Sequence, residues 1–166
     1  MARNFKTHLT GQIGEALVVA ALGRRGFVAT SFSGNVPDID ILAYRNGLSA
    51  SIQVKSWREG QISFNAARYI EIIINDGKQI PTKPILNELS KTVFIFVKIS
   101  DEEPQERFFI LEESDLRSII YDNYRRFLEK HSGMRPRNPD TTHVAVHLDD
   151  VTRFEGNWTL IEKRLP

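Results

Sequence analysis

The chain has 166 residues, 41% of them hydrophobic, and a formal net charge of +1. That is enough chain for one domain with its own core, and too little positive charge for an affinity resting on phosphate neutralisation alone. The absence of cysteine excludes a disulfide framework and thiolate chemistry, no apolar run approaches the ~18–20 residues of a membrane span, and MARNFKTHLTGQ lacks the apolar stretch of a secretory signal, so the expectation is a soluble, cytoplasmic protein with no membrane partner.

Thr7 to Arg25 reads as the first helix, with Thr7 or Thr10 able to cap it and Gly26 able to end it. Ile13, Ala16, Leu17, Ala20 and Ala21 form an apolar stripe, which Val18, Val19 and Leu22 widen. Glu15 falls in line with those last three. A carboxylate there is either solvated on an exposed first turn or held for a purpose, because burying it otherwise is costly. Phe27 to Phe32 reads as a strand, Ser33-Gly34-Asn35 as a loop, and Pro37 as the entry to the next strand.

From Asn35 to Trp57 the pattern is a hairpin turned at Asn46-Gly47, since a type I′ turn needs positive φ at both central residues. A two-residue loop there pairs Arg45 with Leu48. Counting outward puts Asp40 opposite Gln53 and Asp38 opposite Lys55, all on one face by the two-residue period of a strand. The hairpin thus gathers acids, an amide and an ammonium at its open end. A cross-strand ion pairing on a half-exposed sheet accounts for them, as does a site that a cation or an anionic substrate completes. Trp57-Arg58 leaves this end, able to stack on a base or pair with a phosphate, or to pack on the rim of the core.

Ile62 to Asp76 carries two signals. Ala66, Ala67, Ile70, Ile73 and Ile74 match helical spacing, while Ile72-Ile73-Ile74 suits a strand. A helix is the expectation, with Arg68 and Tyr69 on its exposed side. Gly77 to Pro84 reads as a loop and Ile85 to Ser90 as a helical turn. Thr92 to Ile99 (TVFIFVKI) has the apolar continuity of a strand buried on both faces, central in its sheet. An acidic turn at Asp101-Glu102-Glu103-Pro104 leads to a strand over Glu106 to Leu111. A helix follows, capped by Ser114 with an apolar stripe from Leu116 to Leu128 and a stop at Gly133. Arg125 and Arg126 face outward, as solvated charge or a phosphate patch. Met134 to Thr142 reads as a loop, His143 to Leu148 as a last strand, and Asp149 as the cap of a short terminal helix. His143 and His147 share a strand face, where ordinary histidines outweigh a zinc site.

Asp40, then Gln53-Val54-Lys55 on the next strand, with Glu15 on a helix upstream, resembles the PD-(D/E)XK nuclease superfamily. The Gln in place of the acid is similar to the QxK variant of Mrr-like restriction endonucleases. The resemblance covers roughly the first hundred residues. It implies a restriction-endonuclease-like α/β core (helix, three strands, helix, strand) with a mixed sheet over about residues 7–100, and a strand–helix–strand extension over about 101–166, all in one domain. It implies Mg2+ or Mn2+ held by Asp40, Gln53, Glu15 and the Val54 carbonyl, with Lys55 completing the catalytic set, and phosphodiester hydrolysis on DNA. Trp57, Arg58 and Arg68 are the candidate nucleic-acid contacts. A homodimer follows, because cutting both strands usually takes two sites. The alternative is an inactive module that keeps the fold and binds nucleic acid or a protein.

Overall fold

A computed structural model describes residues 3–32, 38–85, 92–102 and 105–166. In chain order the elements are α1 (Arg3–Gly23), β1 (Val28–Ser31), β2 (Ile41–Arg45), β3 (Leu48–Trp57), β4 (Ile62–Asn65), β5 (Ile70–Asn75), β6 (Lys78–Pro84), β7 (Val93–Lys98), β8 (Arg107–Glu112), α2 (Glu113–Lys130), β9 (His143–Val146), α3 (Leu148–Val151) and α4 (Thr159–Arg164). The predicted loop over Ser33–Asn35 with Pro37, the turn from residue 86 on, and Glu103-Pro104 lie outside the described residues.

The chain clusters into two compact units, interleaved in sequence. The first holds a mixed five-stranded sheet in the order β1-β2-β3-β7-β8. β3 and β7 run parallel, and the other neighbours are antiparallel. The fold is therefore α/β with a mixed central sheet, as expected. β7 is buried from Val93 to Val97 and flanked on both sides, which is where an unbroken apolar run belongs. On one face Ile41, Ile52, Val54, Val93, Ile95 and Val97 pack with Val18 and Leu22 of α1 and with Trp158, Ile161 and Leu165 around α4. Helix α1 starts at Arg3, earlier than Thr7, so Thr10 lies inside it and its hydroxyl donates back to the Lys6 carbonyl at 2.8 Å instead of capping. The chain turns out of the helix at Gly26, φ +80°, as expected for a glycine stop.

The second unit holds β4, β5, β6, β9 and most of α2. Here the expected helix over Ile62–Asp76 is absent. Its place is taken by β4, a single 3-10 turn at Ala66–Arg68, and the β5–β6 hairpin. The reason is a turn signal at Asp76-Gly77: both residues have positive φ, 49° and 72°, and they pair Asn75 with Lys78. Once that turn forms, the β-branched run Ile72–Ile74 extends as strand and Lys78–Pro84, expected as loop, becomes its partner. Tyr69, expected outside, is buried. β9 pairs with β4 in a separate two-stranded sheet and does not extend the central one. α2 begins at Glu113, so Ser114 is inside its first turn and is not the cap. Its stripe is buried at Leu116, Ile119, Ile120, Tyr124 and Leu128, while Phe127, expected in it, is exposed. A buried Arg117 joins it, its guanidinium donating to the Tyr69 carbonyl at 3.2 Å. Gly133 ends the run at φ +81°, its N–H donating to Leu128.

A candidate active site at the open end of the first hairpin

Asn46 and Gly47 take φ 51° and 83°, and the register runs from Arg45↔Leu48 to Ile41↔Ile52. Asp40 therefore falls opposite Gln53, as counted from the sequence. The strand itself ends at Ile41, and Asp40 closes the ladder. Its N–H donates to the Ile52 carbonyl at 2.9 Å, and its carboxylate Oδ2 accepts the Val54 N–H at 2.7 Å. A side-chain oxygen thus takes the ladder position that a backbone carbonyl would fill, which fixes the direction of the carboxylate. The N–H and C=O of one strand residue point to the same side, so the Val54 carbonyl also faces the side of Asp40. Asp38 departs from the expectation. It lies before the strand, exposed and at φ 66°, and is not opposite Lys55 on a strand face.

Glu15 reaches this place because α1 lies unusually close to β3. Gly14 is buried, and a Cβ on it would sit 2.5 Å from the Ser56 Cβ and 2.6 Å from its Oγ. Only a glycine allows that approach. The Ser56 hydroxyl donates to the Thr10 carbonyl at 2.8 Å and ties the helix to the strand. Glu15, the next residue, is half-buried, and its carboxyl is pushed above the ordinary carboxylate range, first by loss of water and then by the negative charge of Asp40. Lys55 pulls the other way. A helix residue, a strand-end residue and a mid-strand residue therefore share one electrostatic environment. Gln53 and Lys55 are both half-buried on β3. Among the described residues no three His, Asp or Glu side chains gather into a metal-binding cluster. The donor set at this end is two carboxylates with neutral oxygens beside them.

The candidate nucleic-acid contacts fare differently. Trp57 is only 6% exposed, with its ring 6.0 Å from that of Phe109 and the Lys98 ammonium 5.9 Å from its centroid. It is a core residue, not a stacking platform: by the two-residue period it lies on the face of β3 opposite Ile52 and Val54, where its ring meets Phe109 of β8. Arg58 pairs with the Asp101 carboxylate. Arg68 is exposed at the end of the 3-10 turn in the second unit. Sequence reading missed Gly14 and Ser56. The signal was present as a glycine within a helical, apolar pattern, where it costs about 1 kcal/mol against alanine and calls for a packing reason.

No protein-family model matches the chain, and no curated protein matches it. Among solved structures it is similar to a bacterial homing endonuclease, I-Ssp6803I, with a TM-score of 0.54 and 15% identity over 95% of this chain and 93% of that one. At that identity the likeness concerns the fold: this chain has an α/β fold shared with a known nuclease.

Proposed function

We propose that the chain is a metal-dependent endonuclease acting on DNA, built on the PD-(D/E)XK plan with Gln53 in the position of the second acid. The observation that carries this is the shared environment of Glu15, Asp40 and Lys55, with Asp40 aimed by the Val54 N–H. The fold neighbour, itself an endonuclease, supports the same class.

Carboxylate, amide and carbonyl oxygens are the hard donors that suit Mg2+ or Mn2+. Asp40 and Glu15 would supply the negative charge, and the Gln53 amide and Val54 carbonyl the neutral oxygens. A cation bound there supplies Lewis acidity toward the phosphate and lowers the pKa of a water. Lys55 steadies the attacking oxygen and the charge that builds on the phosphate. Asp40, held by a backbone N–H, keeps its orientation without reorganising. With one acid replaced by an amide, the hold on the cation is weaker, and Glu15 has to contribute directly or through water. Cutting both strands of a duplex calls for two copies of the chain.

The test is cleavage of plasmid, linear, branched and single-stranded DNA with Mg2+ or Mn2+, beside Asp40→Ala and Lys55→Ala. Activity that disappears in both variants supports the reading. Metal-independent retention of DNA without cleavage would instead favour a binding module, the reading that the neutral amide of Gln53 keeps in play.

A further inference from the structure

The second unit contains a cleft of about 500 Å3, walled by α2 on one side and by β4 and β9 on the other. That is within the roughly 300–1,000 Å3 of ligand pockets in general. Asn123, Phe127 and Lys130 stand at i, i+4 and i+7 on α2, and Arg126 beside them, so one helix face lines it. Its permanent charges are Arg126, Lys130 and Arg135 against one acid, Asp150. Asp150 accepts from the Asn123 amide and the His147 N–H, both at 2.8 Å, and lies 3.7 Å from Arg126. Arg126 also donates to the Asn123 side-chain oxygen at 2.5 Å. Three cations less one acid leave a surplus of two charges. Arg135 is fixed, its guanidinium carbon 5.3 Å from the Tyr124 ring centroid and 4.9 Å from that of Phe127, while it donates to the His143 carbonyl. Lys130 has no ion pair or hydrogen bond among the described residues. In a chain of net charge +1, this surplus in one concave place is local and calls for an anion. Arg126 and Lys130 lie one helical turn apart, about 6 Å along the axis, a spacing for a row of phosphates more than for a single ion.

We infer that this cleft is a second nucleic-acid contact, holding the phosphodiester backbone of the DNA substrate through Lys130 and Arg126, with Arg135 as a fixed positive wall. The choice of DNA over a free nucleotide rests on the proposed nuclease function. Contacts of this kind position the backbone and carry no base sequence. Each one releases counterions, so each contributes about 0.9 to the slope of log affinity against log salt.

The experiment measures binding of a labelled duplex by the Asp40→Ala chain in EDTA, over a salt series, by fluorescence anisotropy. Lys130→Gln is expected to weaken binding about eightfold at 0.1 M salt and to reduce the slope by about 1, and the double variant with Arg126→Gln to reduce it by about 2. Arg125→Gln, which removes a cation paired with Glu129 that does not line the cleft, is the control and should leave the slope unchanged. Lys130 is exposed, so its variant remains informative should Arg126→Gln loosen the unit. A slope unchanged by Lys130→Gln, or reduced equally by Arg125→Gln, overturns the inference. So does competition by inorganic phosphate or a mononucleotide at the concentration where duplex binds, which would make the cleft a small-anion site. The two proposals separate cleanly. Cleavage by the parent with a slope indifferent to Lys130 leaves the nuclease and removes the cleft. A slope that depends on Lys130 in a parent that cuts nothing does the reverse.

Discussion

Two hairpins in this chain are turned by the same device and end in opposite surroundings. Asn46-Gly47 and Asp76-Gly77 both place two residues at positive φ and both pair the flanking residues directly. β2–β3 sits inside a five-stranded sheet, with Ile41 and Ile52 fully buried, and its tip is held by the Asn46 amide donating to the Pro166 carbonyl at 2.8 Å. β5–β6 is a two-stranded ribbon with Ile73, Ile74 and Ile80 at 55%, 63% and 47% exposure. Its anchor is polar. Gln79 is buried, donates to the Thr141 carbonyl at 3.2 Å and to that of Pro139, and accepts from the Tyr124 hydroxyl. A turn fixes register; neighbouring strands decide whether the register is buried. Only the first hairpin has the rigid surroundings that a precise site needs.

That contrast can be broken from its strongest side first. Ile52→Ala in the first hairpin should cost about 2–5 kcal/mol, as a buried aliphatic truncation does, whereas Ile74→Ala in the second should stay within about 0.5 kcal/mol. Urea unfolding of both variants compares them directly, and equal costs would mean the ribbon is covered in solution. Gly14→Ala comes next. Overpacking against Ser56 costs about 1–3 kcal/mol, more than the helix preference of alanine returns, and displaces Glu15 from Asp40. The melting temperature should fall, cleavage should fall with it, and Ser56→Gly in the same chain should recover part of both. In the second hairpin, Gln79→Leu strands the Tyr124 hydroxyl at a cost of about 1–3 kcal/mol. Amide exchange should quicken across β5–β6 while β2–β3 keeps its protection.

The smallest effect belongs to Glu15. Its pKa is raised on folding from the ordinary value of 4.5, so the native chain binds protons more tightly than the unfolded one. Stability therefore falls as pH rises from 4.5 through the folded value, and the penalty is full above it. Glu15→Gln should melt higher than the parent at neutral pH, and the difference should close below the unfolded pKa. A gap that instead widens toward acid would contradict the burial and the repulsion by Asp40.

The register of the first hairpin was more legible than the second unit. Asn46-Gly47 gave register by simple counting, and from register came the placement of Asp40 against Gln53. The second hairpin carried an equally good turn, yet Ala66, Ala67, Ile70, Ile73 and Ile74 also fit a helical period, which points to a helix that does not form. Periodicity over a short apolar run does not separate strand from helix, and a turn residue pair arbitrates better. Trp57 could be read as a stacking platform or as rim of the core, because its exposure depends on which strands flank β3, which is a tertiary fact. The Gly14–Ser56 approach was invisible for the same reason, although the helical glycine marked where to look.

The most direct test of the account is a calorimetric titration of the DNA-free chain with Mn2+, comparing the parent with Asp40→Ala and Glu15→Gln. The account predicts one site in the parent, lost in Asp40→Ala and weakened in Glu15→Gln, because each variant removes one of the two carboxylates that would hold the cation. Binding of equal strength in the parent and Asp40→Ala would contradict it.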